Sequence, residues 1–348
     1  MRKSESPGGS VKLLLGWQAT KEDVEKVQAR LPGCDLLITD RRADLQYFEC
    51  DTSSLRQRIL EAEILMGWIA PRDVIESAPN LKMISWLHAG CDQLDFDLLQ
   101  RKKIVLTKVA GSNAVAVAEQ AMALLLALAR RIIQNHALVT NGGWRPLLEP
   151  GSTSMELESR TLGIIGLGRI GEEVAHRGRA FSMKVIATKD DPSKHQCNAD
   201  HVYRADDLLA VLAQADFVVL AVPLTPKTLG MIGEQALRAM KSTAYLINIC
   251  RGAVVQEAAL YAALTNGWIQ GYASDVWWDY PDSMPPAYHY NVPSRTGVHR
   301  LPNVICSGDR SCNIPSIKER MIETGIQNIA CYLRGEQPPL LVNPSRRY

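Results

Sequence analysis

Short apolar runs alternate with polar or amphipathic segments in the first third of the chain, which is typical of strands alternating with helices. We predict strands over five such runs, at residues 11–17, 34–40, 62–69, 81–87 and 103–109. Amphipathic segments such as TKEDVEKVQARL separate the runs. This order predicts a parallel sheet covered by helices.

A long helix and a second series of strands follow. Residues 114–135 are apolar around nearly the whole helical circumference, which predicts one helix buried between domains or subunits. After a Gly/Pro/Ser-rich connection, a second strand series begins at TLGII and ends near NVICSG. These strands are apolar on both faces, as in a doubly wound parallel sheet. A last helix, over residues 315–334, is expected to pack on the first domain.

Length and composition indicate a globular protein of two domains and exclude other classes. A chain of 348 residues is too long for one ordinary core. The net charge of +2 and the absence of a dense Lys/Arg block argue against a nucleic-acid surface. No apolar run reaches about 20 residues, so we expect no membrane span. The polar N-terminus lacks a signal-peptide core, and we expect a cytoplasmic location.

Cysteines are scattered along the chain, without a CxxC pair or metal-ligand spacing. There are eight of them: Cys34, Cys50, Cys91, Cys197, Cys250, Cys306, Cys312 and Cys331. We therefore expect free buried thiols in a reducing compartment, with neither a disulfide framework nor a metal site.

A GxGxxG motif closes the first strand of the second series and opens a helix. Gly166 allows a tight turn, Gly168 lets the backbone approach a pyrophosphate, and Gly171 permits close helix–strand packing. The helix begins with Arg169 and Ile170, and its N-terminus offers N–H groups to phosphates. The motif predicts a dinucleotide site.

The end of the next strand normally distinguishes NAD from NADP, because an acidic side chain there binds the ribose 2′-hydroxyl. Here Lys189 occupies the expected acidic position and Asp190 follows it. Asp190 favours the ribose of NAD, whereas Lys189 and Lys194 favour the 2′-phosphate of NADP. Both cofactors stay open, with a slight preference for NAD.

Read together, the motifs AVPLTPKT, INICRGAVVQEAALYAAL and GYASDVWW resemble the D-isomer-specific 2-hydroxyacid dehydrogenase family. The resemblance implies an α/β fold of two flavodoxin/Rossmann-like, doubly wound parallel-sheet domains. It places the substrate (catalytic) domain at residues 1–113 and 313–348 and the inserted dinucleotide-binding domain at 114–312. It also implies an active site in the cleft between the domains and a homodimer built on the nucleotide domains.

The resemblance carries roles to individual residues. Arg251 matches the arginine that holds the substrate carboxylate and polarises the 2-oxo group, as a forked and permanently charged guanidinium can. Asp275 matches the acid that receives the nicotinamide carboxamide. The other matches are expected near the nicotinamide ring (Ile249, Cys250), the adenosine (Val222, Pro223) and the substrate carboxylate (His88, Ala89, Gly90, Cys91).

Two positions depart from the family pattern. The family's catalytic histidine aligns with Asp309, and the glutamate that hydrogen-bonds to it aligns with Tyr280. An aspartate with an ordinary pKa of about 4 is ionised at neutral pH and repels a substrate carboxylate. Asp309 therefore acts as an acid only if burial raises its pKa. Alternatively, its carboxylate is a base in the oxidation direction or binds a cationic group of an unusual substrate, with the Tyr280 hydroxyl donating to it. A further alternative is an ion pair with Arg310 or another arginine, which makes the site structural and ends the chemistry. His289 and His299 are alternative proton donors.

These observations favour an NAD(P)-dependent oxidoreductase that transfers a hydride between nicotinamide and a 2-hydroxy/2-oxo acid or a related small acid. Arg251 orients the substrate, and an Asp309/Tyr280 pair replaces the usual His/Glu pair. The alternatives are an NAD(H)-binding regulatory or interaction protein with little dehydrogenase activity, and another reaction on the same cofactor.

Overall fold

The computed structural model describes residues 10–144, 153–193, 198–279, 292–309 and 311–348. They form two compact units. Unit 1 comprises Met1–Ser112 and Pro315–Tyr348, and unit 2 comprises Asn113–Ile314. Residues 113, 313 and 314, which the sequence-based division places in the substrate domain, belong to unit 2. Contact across its two ends explains this, because the Asn113 amide donates a hydrogen bond to Cys312 Sγ at 3.1 Å.

The first part of unit 1 alternates strands and helices, as the apolar pattern predicts. The elements are β1 (Val11–Gly16), α1 (Lys21–Arg30), β2 (Cys34–Ile38), α2 (Thr52–Arg58), β3 (Ile64–Gly67), α3 (Arg72–Ser77), β4 (Met83–Trp86), α4 (Phe96–Arg101) and β5 (Val105–Thr107). The described strands form a parallel sheet in the order β2-β1-β3-β4-β5. Polar caps start three of these helices, namely α1 with its reciprocal Thr20–Asp23 capping box, α2 with Asp51 and α4 with Asp95.

Unit 2 contains the second strand series. Its elements are α5 (Ala114–Ala129), α6 (Ile132–Thr140), β6 (Thr161–Ile165), α7 (Arg169–Ala180), β7 (Lys184–Lys189), β8 (His201–Arg204), α8 (Leu208–Gln214), β9 (Phe217–Leu220), α9 (Glu234–Ala239), β10 (Tyr245–Asn248), α10 (Glu257–Thr265), β11 (Gly271–Ser274) and β12 (Val304–Cys306). The described strands form a parallel sheet in the order β12-β11-β10-β9-β6-β7-β8. This is a doubly wound Rossmann topology.

Both faces of the unit 2 sheet are buried. Along β6, Ile164 packs in a cluster with α5 and α7, and the next residue, Ile165, packs in a second cluster with α8, α9 and α10. Successive strand residues point to opposite faces, so burial on both sides requires a continuous apolar run. This is the physical reason that the strands of this unit lack polar alternation.

The prediction of one helix over 114–135 is wrong, because the chain breaks it after Ala129. Arg131 adopts a left-handed conformation with φ of 53°, and α6 begins at the next residue. Near the break, the N–H of Met155 donates to the carbonyl of Ala129 at 2.8 Å, which satisfies a carbonyl at the end of α5. Helix α5 is largely buried, whereas α6 contains no buried residue.

The last helix, α11 (Pro315–Leu333), belongs to unit 1, which confirms its predicted return to the first domain. It packs on β4, where the Ser85 hydroxyl donates to the carbonyl of Gly325 at 3.3 Å. The Asn328 amide donates to the carbonyl of Lys108 at 3.1 Å. In the part of the chain that the structure describes, no helix is long and apolar enough to cross a membrane.

Candidate active site

The glycine loop joins β6 to α7 at the point where the strand order of unit 2 reverses. Gly166 has φ of 102°, and a Cβ there would lie 2.8 Å from the carbonyl oxygen of Ala221 and 2.7 Å from a methyl of Val222. A Cβ on Gly171 would overlap the carbonyl oxygen of Gly166. Both glycines are therefore required by backbone contact. The loop after β9, which includes Val222 and Pro223, lies against the glycine loop, as expected at a topological switch point.

Gly168 differs from its neighbours because the space beside it is open. No described atom lies within 4 Å of the position that a Cβ would take. Gly168 also precedes α7, and no side chain among the described residues caps that helix at Gly168. The exposed residues Gly168 and Arg169 thus leave a cradle of backbone N–H groups. A pyrophosphate fits this cradle, and a side chain at Gly168 would fill it.

The end of β7 carries mixed charge. Lys189 Nζ lies 3.9 Å from Glu172 Oε1, so an acid in the first turn of α7 offsets its charge. Arg204 on β8 is the strand partner of Lys189 and is exposed. Next to Asp190, the Asp191 carboxylate accepts hydrogen bonds from the N–H and hydroxyl of Ser193. Sequence reasoning missed Arg204, since β8 is a short edge strand without an apolar run, and it missed Glu172, whose proximity to Lys189 arises only in the folded chain.

Arg251 follows β10, and the fully buried Asn248 shapes the turn that presents it. The Asn248 amide donates to the carbonyl of Arg251 at 3.0 Å, and its Oδ1 accepts hydrogen bonds from the N–H and thiol of Cys250. The Arg251 guanidinium donates to the carbonyl of Cys250 at 2.9 Å. Sequence reasoning missed Asn248, although a polar residue at the end of an apolar strand was a usable signal.

The two residues expected beside the nicotinamide are mainly core residues. Ile249 packs in the cluster on the α5 face, and Cys250 packs in the cluster on the other face of the sheet. Burial raises the pKa of the Cys250 thiol to about 11, so the thiol stays protonated at neutral pH. Proximity of these two residues to nicotinamide remains a prediction.

Asp275 and the segment after β12 are joined by short hydrogen bonds. The Asp275 side chain is 1% exposed and accepts a hydrogen bond from the Ser311 N–H at 3.1 Å. The Asp309 N–H donates to the carbonyl of Asp275 at 2.7 Å. Trp277 Nε1 donates to the carbonyl of Ser307 at 2.8 Å. These bonds bring the residue matching the family's carboxamide acceptor next to the residue at the histidine position.

Asp309 itself is exposed and has φ of 55°. Aspartate is among the few residues that adopt this left-handed conformation readily. Its expected partner Tyr280 lies outside the described residues, as do Arg310, His289 and Lys194. His299 packs edge-on against Trp277, with 6.4 Å between ring centroids, and its Nδ1 is buried without a hydrogen-bond partner among the described residues.

In unit 1, the loop of residues 88–91 follows β4 at the carboxyl edge of that sheet. His88 Nε2 lies 3.1 Å from the carbonyl oxygen of Trp68, and the His88 ring packs against Trp86, with 4.7 Å between ring centroids and a tilt of 40°. Trp86 Nε1 donates to the carbonyl of Gly90 at 2.9 Å, and the Val109 N–H donates to the carbonyl of His88 at 3.1 Å. The backbone of the loop, which includes Ala89, is therefore held from both sides.

Four of the described cysteines match the expectation of buried free thiols, and three are free but not buried. All seven in the described residues are free, and four of them (Cys34, Cys50, Cys91 and Cys250) are buried. Cys306 is exposed because it ends the edge strand β12, and Cys312 and Cys331 are half-buried, which corrects the expectation of burial at these three positions. Cys197 lies outside the described residues. No group of side chains in the described part of the chain could hold a metal ion.

Comparison with known proteins agrees with this arrangement. The family described as "D-isomer specific 2-hydroxyacid dehydrogenase, NAD binding domain" matches residues 122–307. A glyoxylate reductase from Thermococcus litoralis is 35% identical over 302 residues, covering 83% of this chain and 86% of the relative. The chain therefore belongs to the D-isomer-specific 2-hydroxyacid dehydrogenase family. It is an NAD(P)-dependent oxidoreductase of that family.

Solved structures show the same two-domain fold. A D-isomer specific 2-hydroxyacid dehydrogenase family protein from Aeromonas salmonicida superposes with a TM-score of 0.78 at 25% identity, covering 97% of this chain and 100% of that chain. D-lactate dehydrogenase from Aquifex aeolicus, solved with NAD and lactic acid, has a TM-score of 0.73 at 26% identity, with coverage of 93% and 96%. The prediction of two Rossmann-like parallel-sheet domains is confirmed.

Proposed function

We propose that this protein interconverts a small 2-oxo acid and its 2-hydroxy acid, with Arg251 as the residue that orients the substrate. The observation that carries this proposal is the turn after β10. Asn248 holds Arg251 at the carboxyl edge of the sheet, at the end of β10. The neighbouring strand, β11, ends at the same edge and is followed by Asp275. A guanidinium there can fork onto a carboxylate and a carbonyl oxygen. The glyoxylate reductase relatives support a small 2-oxo acid such as glyoxylate as substrate.

The residues present fit an NAD(P) cofactor. The open cradle at Gly168 and Arg169 would hold the pyrophosphate, Val222 and Pro223 would border the adenosine, and Asp275 would receive the carboxamide. When bound, the reduced nicotinamide supplies the hydride for reduction of the 2-oxo carbon. The protein's own task is to orient the substrate and to exchange the accompanying proton.

Asp309 is the residue that we propose for proton exchange, together with Tyr280. Its backbone is bonded to Asp275, and its exposed side chain is in contact with solvent. In the oxidation direction, the hydroxyl proton of the hydroxy acid would pass to the Asp309 carboxylate and then to water. In reduction the same path would need a protonated Asp309, so its exposed carboxylate favours the oxidation direction.

The decisive test compares Arg251→Gln with a control, Arg238→Gln, by following NAD(P)H absorbance with glyoxylate. Arg238 is an exposed arginine of the same unit that pairs with Glu234. Removing a donor that stabilises developing oxyanion charge costs about 10²–10³-fold in rate. We expect that loss in Arg251→Gln, with unchanged NADH binding, and no loss in Arg238→Gln. Equal rates in both variants would refute the role of Arg251.

A second candidate function, an NAD(H)-binding regulatory protein, is favoured by the backbone of Asp309. Aspartate adopts this left-handed conformation more readily than most residues, so its presence there does not require a catalytic role. This candidate predicts tight NADH binding by fluorescence, without turnover of any 2-oxo acid at high enzyme concentration. Measurable turnover excludes it.

We also propose a homodimer, supported by an apolar surface around α6. Ile132, Ile133 and Val139 are each about half exposed, and Trp144 is 86% exposed. Large contiguous apolar surfaces usually mark an interface. Ile133→Asp is expected to shift the molar mass measured by light scattering from dimer to monomer. The control Leu229→Asp, at an exposed leucine elsewhere in unit 2, should leave the mass unchanged.

A further inference from the structure

Residues 338–348, here called the strap, cross the open edge of the unit 1 sheet. The Val342 N–H donates to the carbonyl of Leu106 at 2.9 Å, and the Lys108 N–H donates to the carbonyl of Leu340 at 3.1 Å. Leu341 forms an antiparallel bridge with Thr107. Val342 is 2% exposed and packs in the unit 1 core. This pairing covers the edge strand β5, whose backbone groups would otherwise be open to other chains.

The strap continues past the strand pairing into a closed turn. Asn343 Oδ1 accepts hydrogen bonds from the N–H groups of Ser345 and Arg346, at 3.0 and 3.2 Å. The Asn343 carbonyl accepts from the Arg347 N–H at 2.9 Å, and the Asn343 N–H donates to the carbonyl of Tyr348 at 3.2 Å. The strap pairs with β5 only as far as Val342. The turn that follows is therefore not needed to cover the edge of the sheet.

The turn contacts the loop of residues 88–91. The Cys91 thiol, in a residue 3% exposed, donates to the carbonyl of Arg347 at 3.5 Å. The Arg347 guanidinium lies 3.5 Å from Asp97 and over the ring of Phe96, which anchors the turn on α4. Lys108 Nζ lies 5.8 Å over the ring of Tyr348. The strap thus braces the end of the loop that Trp86 and Val109 do not hold.

We propose that the strap is a positioning element for the substrate, acting through the loop of residues 88–91. This inference rests on the proposed function and on the role implied by the family resemblance, in which the backbone amides of that loop bind the substrate carboxylate. Backbone donors bind an anion well only when they are fixed in direction, and displacement of about 1 Å at an active site costs up to 10²-fold in activity. The strap acts through this loop and does not itself bind substrate. Asn343 acts by holding the turn against Cys91.

The test compares Asn343→Ala with Asn343→Asp, because aspartate keeps the oxygen that accepts from Ser345 and Arg346. In Asn343→Ala, KM for glyoxylate is expected to rise about tenfold, which corresponds to about 1.4 kcal/mol. The dissociation constant of NADH should not change. Asn343→Asp should restore the wild-type KM. The control Asn80→Ala, at an exposed asparagine of unit 1, should leave both constants unchanged.

Hydrogen exchange provides a readout that does not depend on activity. Amides of residues 88–91 should exchange faster in Asn343→Ala, whereas those of β3 should not. Unchanged exchange there, or faster exchange with an unchanged KM for glyoxylate, overturns the strap proposal alone. A wild-type protein that turns over no 2-oxo acid overturns the proposed function, and the positioning role falls with it. Parallel changes in glyoxylate KM and NADH binding indicate general destabilisation and also overturn the strap proposal.

Discussion

The glycine loop after β6 and the segment after β12 lie at the same edge of the unit 2 sheet, but different forces determine their residues. In the glycine loop, backbone atoms leave no room for a Cβ at Gly166 or Gly171. In the segment after β12, the left-handed backbone at Asp309 accepts several residue types, including asparagine and histidine. Steric exclusion therefore preserves the cofactor motif, while the acid–base position can change without loss of the fold.

The largest effect is expected for a methyl group at Gly171. In Gly171→Ala the new Cβ overlaps the backbone of Gly166, which cannot move away as a side chain can. Overpacking of this kind costs about 3 kcal/mol, which lowers the melting temperature by about 6–12 °C. Differential scanning calorimetry measures the change.

Gly168→Ala is the matched control, since its Cβ meets no described atom within 4 Å. The melting temperature should stay near that of the wild type, while NADH binding weakens by about tenfold or more because the methyl fills the phosphate cradle. Equal melting temperatures for the two alanine variants would contradict the steric account.

The next effect concerns Asp309. Asp309→Asn keeps the size and the left-handed backbone but removes the carboxylate that accepts the proton, so kcat for glycolate oxidation should fall about 10²-fold or more. NADH affinity, measured by fluorescence titration, should not change. A variant as active as the wild type would show that the Asp309 carboxylate has no catalytic role and that aspartate occurs there only because it adopts the left-handed backbone conformation.

Asp309→His tests whether the acid–base position, unlike the glycine loop, accepts another residue without loss of the fold. Histidine tolerates the same backbone and exchanges protons near neutral pH, so the variant should fold and reduce glyoxylate at pH 7. A misfolded variant would indicate that the position is more constrained than its exposure suggests.

A smaller effect is expected at the end of β7. In Glu172→Gln, Lys189 loses the carboxylate 3.9 Å away, and its positive charge becomes available to a 2′-phosphate. Partly exposed ion pairs are worth up to about 1 kcal/mol, so the NADPH/NADH affinity ratio should rise about threefold to fivefold. Glu173→Gln, one residue further along α7, is the control, and an equal rise there would argue against a role for Lys189.

The smallest effect concerns Cys250, beside Arg251. Because burial raises the pKa of its thiol to about 11, Cys250 should resist iodoacetamide at pH 8, with or without NADH. Mass spectrometry of the labelled peptides measures this. Rapid labelling would place the thiol at the solvent-exposed side of the loop instead of in the core.

Strand positions and the Rossmann architecture were predictable because burial on both faces produces continuous apolar runs. Edge strand β8 was missed, because none of its residues is buried and its sequence therefore lacks a continuous apolar run. Asn248 was missed for another reason. A polar residue at the end of an apolar strand was a signal that the position matters, but it does not reveal the hydrogen bonds that Asn248 makes to residues two and three positions away.

Local pattern by itself determined the positions of most strands in both series, the glycine turn and the cofactor class, because each depends on side-chain periodicity or on sterics within a few residues. Tertiary structure decided the break after Ala129, where the Met155 N–H meets the end of α5. It also decided the contact of the strap with Cys91, across more than 250 positions of sequence. Hydrogen bonds between distant segments leave no periodic signal in the chain, and only folding brings their partners together.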